Sequence, residues 1–202
     1  MQTSILSRRA SLTAVVFVWL GFSPKTTTVG YAPEQPVPYS HALHAGKLGI
    51  DCRYCHSTVE VGAMAAVPSA ATCMNCHKTI RTTSPALTPI RASAAGDAAV
   101  AWIRVHKLPD FVYFNHSAHV RRGVGCVSCH GRVDKMDVVR TDKPMSMGWC
   151  LDCHRAPENH LRPVETVTKM DWVPIPDQTT VGTSLRTANG INPSTDCVTC
   201  HR

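Results

Sequence analysis

All ten cysteines of this 202-residue chain, and five of its eleven histidines, fall into five Cys-x-x-Cys-His boxes. Two thiols at positions i and i+3 can add to the two vinyl groups of one porphyrin, and the histidine that follows then lies beneath the iron as its proximal ligand. The pattern therefore predicts five covalently bound haems c. The predicted thioether cysteines are Cys52, Cys55, Cys73, Cys76, Cys126, Cys129, Cys150, Cys153, Cys197 and Cys200. The predicted proximal ligands are His56, His77, His130, His154 and His201.

Zinc sites and redox-active disulfides are the alternative interpretations of a Cys-x-x-Cys pair. Zinc would use two pairs per ion, so five pairs would leave one over. Neither alternative requires a histidine after every second cysteine. The repeated histidine therefore favours haem attachment.

Six further histidines are candidates for the distal side of the irons: His41, His44, His106, His116, His119 and His160. Four of them form two His-x-x-His pairs, each upstream of a box. Residues three apart on a helical turn lie on one side of the backbone, about 5–6 Å apart at Cβ. Such a pair cannot hold opposite faces of one iron, so each pair is expected to serve two neighbouring haems.

The fifth distal ligand is assigned to His106, which lies between the two pairs, and His160 is the spare histidine. Met147 is the rival distal ligand, since a methionine ligand would raise one potential above those of bis-histidine haems. A zinc site at His41 and His44 is the less favoured alternative.

An internal repeat organises the chain. Tyr39-Ser-His41-Ala-Leu-His44 precedes the first box, and Phe114-Asn-His116-Ser-Ala-His119 precedes the third. A second box follows in each copy, which predicts two-haem modules at residues 34–79 and 110–155 and a tail at 156–202 with the fifth box.

The predicted fold is that of a multihaem cytochrome c with little regular secondary structure. Only four Phe, four Tyr and four Trp are available for a core, and 14 Pro with 12 Gly interrupt long elements. Short helices and loops are therefore expected to wrap round five haems. We expect helices at the boxes and one around Ala94 to Arg104, and a box-free loop over 162–193 that wraps the chain or contacts a partner.

The amino terminus predicts a single membrane anchor over residues 1–24, followed by a pentahaem domain over 25–202. Arg8 and Arg9 precede a 13-residue apolar run from Ala10 to Phe22, short against the roughly 20 residues of a spanning helix. A cleaved signal peptide and an interfacial helix are the alternatives, but no small-x-small cleavage site follows Phe22. The two arginines on the inner side place the haem domain on the periplasmic side of the cytoplasmic membrane.

The formal charge of +7 does not indicate nucleic-acid binding. No basic run with interleaved aromatic residues is present, and haem propionates would pair with many of the arginines and lysines.

Three stretches, residues 36–56, 102–119 and 145–150, closely resemble the pentahaem cytochrome c subunit of bacterial alternative complex III. The resemblance extends from about Gly30 to Pro163, and the tail beyond shares only its box. It implies an electron-transfer subunit, not itself catalytic, in a membrane quinol-oxidising complex of respiration or photosynthesis. It also implies three kinds of neighbour: an iron–sulfur subunit, multi-helix quinol-binding membrane subunits and a monohaem cytochrome. Electrons would leave to a soluble carrier.

Two other functions are weighed against this one. A stand-alone membrane-anchored quinol dehydrogenase would share the anchor and the haems. A multihaem reductase of a small oxyanion would need one iron with an open coordination site, against which the ample supply of distal histidines argues.

Overall fold

The computed structural model describes residues 11–19 and 28–201, and short helices joined by irregular segments make up its architecture. The α-helices are α1 (11–19), α2 (Cys52–Cys55), α3 (Ala70–His77), α4 (Thr88–Ala94), α5 (His116–Val120), α6 (Cys126–His130), α7 (Met147–Arg155), α8 (Gln178–Ala188) and α9 (Cys197–Cys200). A π-helix spans Ala42–Lys47, and 3-10 helices span Pro85–Leu87, Val133–Lys135, Pro157–Asn159 and Val164–Thr166. Over these described ranges, two isolated antiparallel bridges form instead of strands. The predicted short helices and scarcity of strands are confirmed.

Each of the five boxes lies on a short helix. The Asp51 carboxylate accepts a hydrogen bond from the backbone N–H of Arg53 and so caps α2, and the Ser146 hydroxyl accepts one from Trp149 and caps α7. A helical turn brings side chains at i and i+3 to one side of the backbone. The local fold therefore presents both thiols of a box in the same direction, as attachment to one porphyrin requires.

The helix predicted around Ala94 to Arg104 was wrongly placed. The helix in this region is α4, which carries a proline in its first turn and ends at Ala94. Gly96 has φ +108°, a conformation open to glycine that breaks the helical path. Residues 98–104 have no helical structure.

The prediction of a loop throughout residues 162–193 was also wrong, because this segment contains α8. The helix packs against Pro157–Asn159, where the Gln178 side-chain amide donates to the carbonyl oxygens of Glu158 (2.8 Å) and Leu161 (2.7 Å). Arg186 pairs with the Glu158 carboxylate at 2.7 Å. Helix and turn approach so closely at Gly182 that a Cβ there would overlap the Glu158 carbonyl oxygen.

A small apolar cluster joins the two modules to the tail. Val59 from the first module, Val120 from the second and Val167 from the tail pack together, with Ala65 against them. Leu161 and Val167 are 1% exposed and are the largest fully buried side chains of the described residues. Such a small core agrees with a chain whose interior is completed by porphyrins.

The predicted anchor lies largely outside the described residues, which cover only 11–19 of its apolar run as the exposed helix α1. Within the described ranges, no helix has the length and apolar character needed to span a membrane.

Candidate haem-binding sites

The histidines of three boxes are held by hydrogen bonds from Nδ1 to backbone carbonyls. His56 bonds to Ala66 (2.7 Å) and His77 to Ile80 (3.1 Å). His154 bonds to Ser194 (2.6 Å). A histidine that binds a metal through one ring nitrogen commonly donates its other N–H in this way, which fixes the tautomer and the ring orientation. These bonds leave Nε2 available for iron.

Three histidine pairs face each other at the distance expected across one iron. The ring centres are 6.3 Å apart for His44 and His77, 6.4 Å for His116 and His130, and 6.2 Å for His119 and His154. Two imidazoles on opposite sides of one metal ion have centres about 6 Å apart, because each metal–nitrogen bond is about 2 Å long and the nitrogen lies about 1 Å from the ring centre. The upstream partners His44, His116 and His119 also use Nδ1 to bind backbone carbonyls at 2.8 Å.

His41 and His106 are both half-buried but are placed differently. Burial lowers the pKa of His41 to about 4, and the charge of His56 contributes to this shift. His41 and His56 therefore lie close enough to interact electrostatically. The His106 ring lies 4.4 Å from that of His130 and perpendicular to it, too close for an iron between them. Nδ1 of His41 and Nε2 of His106 are buried with no hydrogen-bond partner.

His201 has an aromatic neighbour rather than a histidine. The Phe111 ring centre lies 5.7 Å from the His201 ring and is tilted by 34°. Across the described part of the chain, no ring contact joins His201 to another histidine. His56 of the first box also lacks such a ring contact within that part of the chain, but its charge acts on the nearby His41, whereas the ring neighbour of His201 is Phe111.

The two alternative distal ligands lie outside these pairs. His160 is half-buried at the end of Pro157–Asn159, and burial followed by the charge of Lys143 lowers its pKa. Met147 is the first residue of α7 and is 65% exposed.

Burial keeps several of these imidazoles neutral, and a neutral ring is the form that binds metal. Burial, followed by the charges of neighbouring histidines, lowers the pKa of His130 to about 3. Burial also lowers the pKa values of His106 and His119.

The chemistry of the donor set fits haem c. None of the ten cysteines is in a disulfide bond, so all ten are available for thioether formation. Within residues 11–19 and 28–201, no group of three or more His, Cys, Asp or Glu side chains is arranged to hold a metal ion directly.

Arg162 adds a second indication of haem. Its guanidinium is buried, donates to the Lys169 carbonyl oxygen (3.0 Å) and lies over Trp172 at 4.9 Å, while its Nε has no partner. A carboxylate would satisfy this orphaned donor, and haem propionates are carboxylates.

Contacts between boxes place the first box beside the second. The Asn75 side-chain amide, inside the second box, donates to the Tyr54 hydroxyl inside the first at 3.0 Å. Burial raises the pKa of Tyr39, and the charges of Cys55 and Cys73 raise it further, so Tyr39 lies near both boxes.

The first box also adjoins the third. The Cys126 N–H donates to the Val167 carbonyl oxygen, and the next residue, Thr168, donates its hydroxyl to Asp51, both at 3.0 Å. The side chains of Cys52 and Cys126 lie close together, and their interaction raises the pKa of Cys126 and lowers that of Cys52.

The remaining contacts extend the series to the fifth box. Helix α5 carries both His116 and His119 and so joins the third box to the fourth. The Ser194 carbonyl accepts from His154 of the fourth box, and its hydroxyl lies 3.0 Å from that of Thr199 in the fifth. The boxes therefore follow one another in space in the order second, first, third, fourth, fifth.

Sequence reasoning did not identify Tyr39 and Phe114 as functional residues. Each contacts both histidines of its own pair. The sequence does contain a signal for them, because an aromatic residue lies two positions before the His-x-x-His pair in both copies of the repeat.

Replacing His116 by alanine is expected to convert one haem to a high-spin, carbon monoxide-binding form without changing the number attached, because attachment depends on the cysteines. Electron paramagnetic resonance of the oxidised protein and carbon monoxide difference spectra measure the change. His160→Ala is the matched control and should alter neither. Loss of a whole haem with no change in spin state would count against His116 as an axial ligand.

Two comparisons with known proteins agree with this site. Residues 112–202 match the family described as "Cytochrome c7 and related cytochrome c". The chain is also 31% identical to the protein named "Menaquinone reductase, multiheme cytochrome c subunit" of Nitratidesulfovibrio vulgaris. That alignment of 171 residues covers 73% of this chain and 79% of the relative.

Proposed function

The chain belongs to the multihaem cytochromes c, and from this premise we propose that it carries electrons through five haems c within a membrane quinone-linked complex. The observation that supports this most directly is the unbroken series of contacts between boxes. When bound, haem supplies an iron that gains and loses one electron. The chain's part is to hold the attachment sites close together, because electron tunnelling falls off steeply with distance.

The histidines divide between the haems in a regular way under this proposal. The first histidine of each pair serves the next box, as His116 faces His130, and the second serves the box after that, as His119 faces His154. His44 facing His77 follows the same rule in the first module, which assigns His41 to His56. Each pair therefore joins two haems through one helical turn.

The proposed setting is a quinol-oxidising complex of the alternative complex III type. The relative's name refers to menaquinone, which supports a link to the quinone pool, and the resemblance of residues 30–163 favours quinol oxidation. In this setting electrons arrive from an iron–sulfur subunit, the neighbours include multi-helix quinol-binding subunits and a monohaem cytochrome, and a periplasmic carrier receives the electrons. The haem domain lies on the periplasmic side, held by the amino-terminal anchor, and the chain itself is not catalytic.

The test is to isolate the chain from native membranes in mild detergent, identify the proteins that accompany it and count its haems. An assembly with an iron–sulfur protein, in which menaquinol reduces five haems per chain, is the expected result. A lone chain that oxidises menaquinol by itself would instead favour the stand-alone quinol dehydrogenase.

One observation favours a second candidate function, a multihaem reductase. Phe111 rather than a histidine neighbours His201, so the fifth haem is the place for an open coordination site. Carbon monoxide binding to the reduced wild-type protein, lost on removal of the fifth box, would support this alternative.

A further inference from the structure

Tyr39, two residues before the first histidine pair, contacts both members of that pair. Its ring stacks on His44 with centres 4.4 Å apart and planes 19° apart. The same ring meets His41 edge-on, at 4.8 Å and 83°. One aromatic side chain therefore holds two imidazoles in different orientations.

Phe114 repeats this arrangement in the second module. Its ring stacks on His119 at 4.5 Å and 27°, and it meets His116 edge-on at 4.8 Å and 87°. The corresponding distances in the two modules agree to 0.1 Å, although one residue is tyrosine and the other phenylalanine. The shared feature is the flat aromatic face, and the tyrosine hydroxyl is not part of it.

The second histidine of each pair also makes a hydrogen bond to a backbone carbonyl. Nδ1 of His44 binds the Ser40 carbonyl oxygen, and Nδ1 of His119 binds the Asn115 carbonyl oxygen, each at 2.8 Å. The torsion that turns an imidazole about its Cβ–Cγ bond has broad minima, so the covalent structure alone does not set the plane of the ring. The hydrogen bond fixes the direction of Nδ1, and the stacked aromatic ring fixes the rotation of the plane.

The plane of an axial imidazole has an electronic consequence. In low-spin ferric haem, the angle between the two imidazole planes sets the splitting of the iron d orbitals and therefore the g values. This angle is 6° for His116 and His130 but 62° for His44 and His77. The chain therefore sets different angles between the two imidazole planes at sites that have the same ligands.

We infer that Tyr39 and Phe114 are positioning residues, each of which fixes the planes of the two distal imidazoles in its module. Each thereby sets the electronic state of two consecutive haems. The inference rests on the proposed function in one respect, that these histidines bind haem iron. It assigns Phe114 to the haems of the third and fourth boxes, and Tyr39 to those of the first and second.

The test compares Phe114→Met and Phe114→Leu with Phe114→Tyr in the full holoprotein. Methionine fills a similar volume without a flat face, whereas tyrosine restores the residue that the other module uses. Tyr39→Met and Tyr39→Phe form the reciprocal pair. The readouts are the electron paramagnetic resonance spectrum of the oxidised protein, the midpoint potentials and the number of haems attached.

In Phe114→Met, two of the low-spin ferric signals are expected to change their g values, with every haem still attached. A different two are expected to change in Tyr39→Met. Phe114→Tyr and Tyr39→Phe should reproduce the wild-type spectrum. Phe114→Leu should shift the same two signals as Phe114→Met, which separates loss of the aromatic face from any effect of the methionine sulfur.

Unchanged g values in Phe114→Met would overturn the inference, and so would the same set of changed signals in both methionine variants. If the wild-type protein lacked low-spin ferric signals, the proposed function would fail instead. The wild-type spectrum therefore distinguishes the two failures.

Discussion

Replacing Cys126 and Cys129 by alanine is expected to remove one haem and to slow electron transfer along the chain by orders of magnitude. The third box lies in the middle of the spatial order, beside the first box through Val167 and Thr168 and beside the fourth through α5. Removing its haem opens a gap that an electron must cross in one step. Tunnelling over the longer distance is slow because the rate falls steeply with separation.

The measurement is rapid-mixing reduction of the isolated complex by a menaquinol analogue, followed in the visible haem bands. The variant without Cys126 and Cys129 should show a fast phase from the haems on the side where electrons enter. The haems beyond the gap should be reduced far more slowly. The matched control replaces Cys197 and Cys200, which removes a haem from one end of the series. The four haems left in the control are expected to be reduced in one fast phase. Equal kinetics in the two variants would refute the proposed order.

The local part of the site could be predicted from the sequence. A Cys-x-x-Cys-His box defines its own chemistry within five residues, and helical geometry alone requires that the two histidines of His-x-x-His serve different centres. In the structure, His116 and His119 face different box histidines. Which box histidine faces which upstream histidine depends on how the modules pack, and neither spacing nor composition contains that information.

The missed helix α8 also depends on tertiary contacts. Helix α8 is rich in threonine and carries only Val181 and Leu185 as large apolar residues, so its sequence is a weak signal of a packed helix. Its position is set by polar contacts from Gln178 and Arg186 to the turn at Glu158 and by the close approach at Gly182. The assignment of His106 as the fifth distal ligand stays a prediction, and its edge-on contact with His130 is a consequence of packing that no local pattern reveals.

Replacing Gly182 by alanine is expected to destabilise the protein by about 1–3 kcal/mol, the usual cost of adding volume to a packed interior. Helix propensity alone predicts the opposite sign, since alanine is favoured over glycine inside a helix by about 1 kcal/mol. A Cβ at this position would overlap the carbonyl oxygen of Glu158, which is backbone and cannot move without separating α8 from the turn. The sign of the change in unfolding free energy therefore decides between local propensity and tertiary packing.

Ser184→Ala provides the control, because Ser184 lies on the same helix with an exposed side chain. Denaturant unfolding should show Gly182→Ala less stable than wild type and Ser184→Ala unchanged or slightly more stable, by less than about 0.5 kcal/mol. A stabilised Gly182→Ala would contradict the close packing of α8. The helix also leads directly to Ser194, whose carbonyl binds Nδ1 of His154. Loosening α8 should therefore alter the spectrum of the haem on the fourth box, which connects the stability of the tail to the electronic properties of the site.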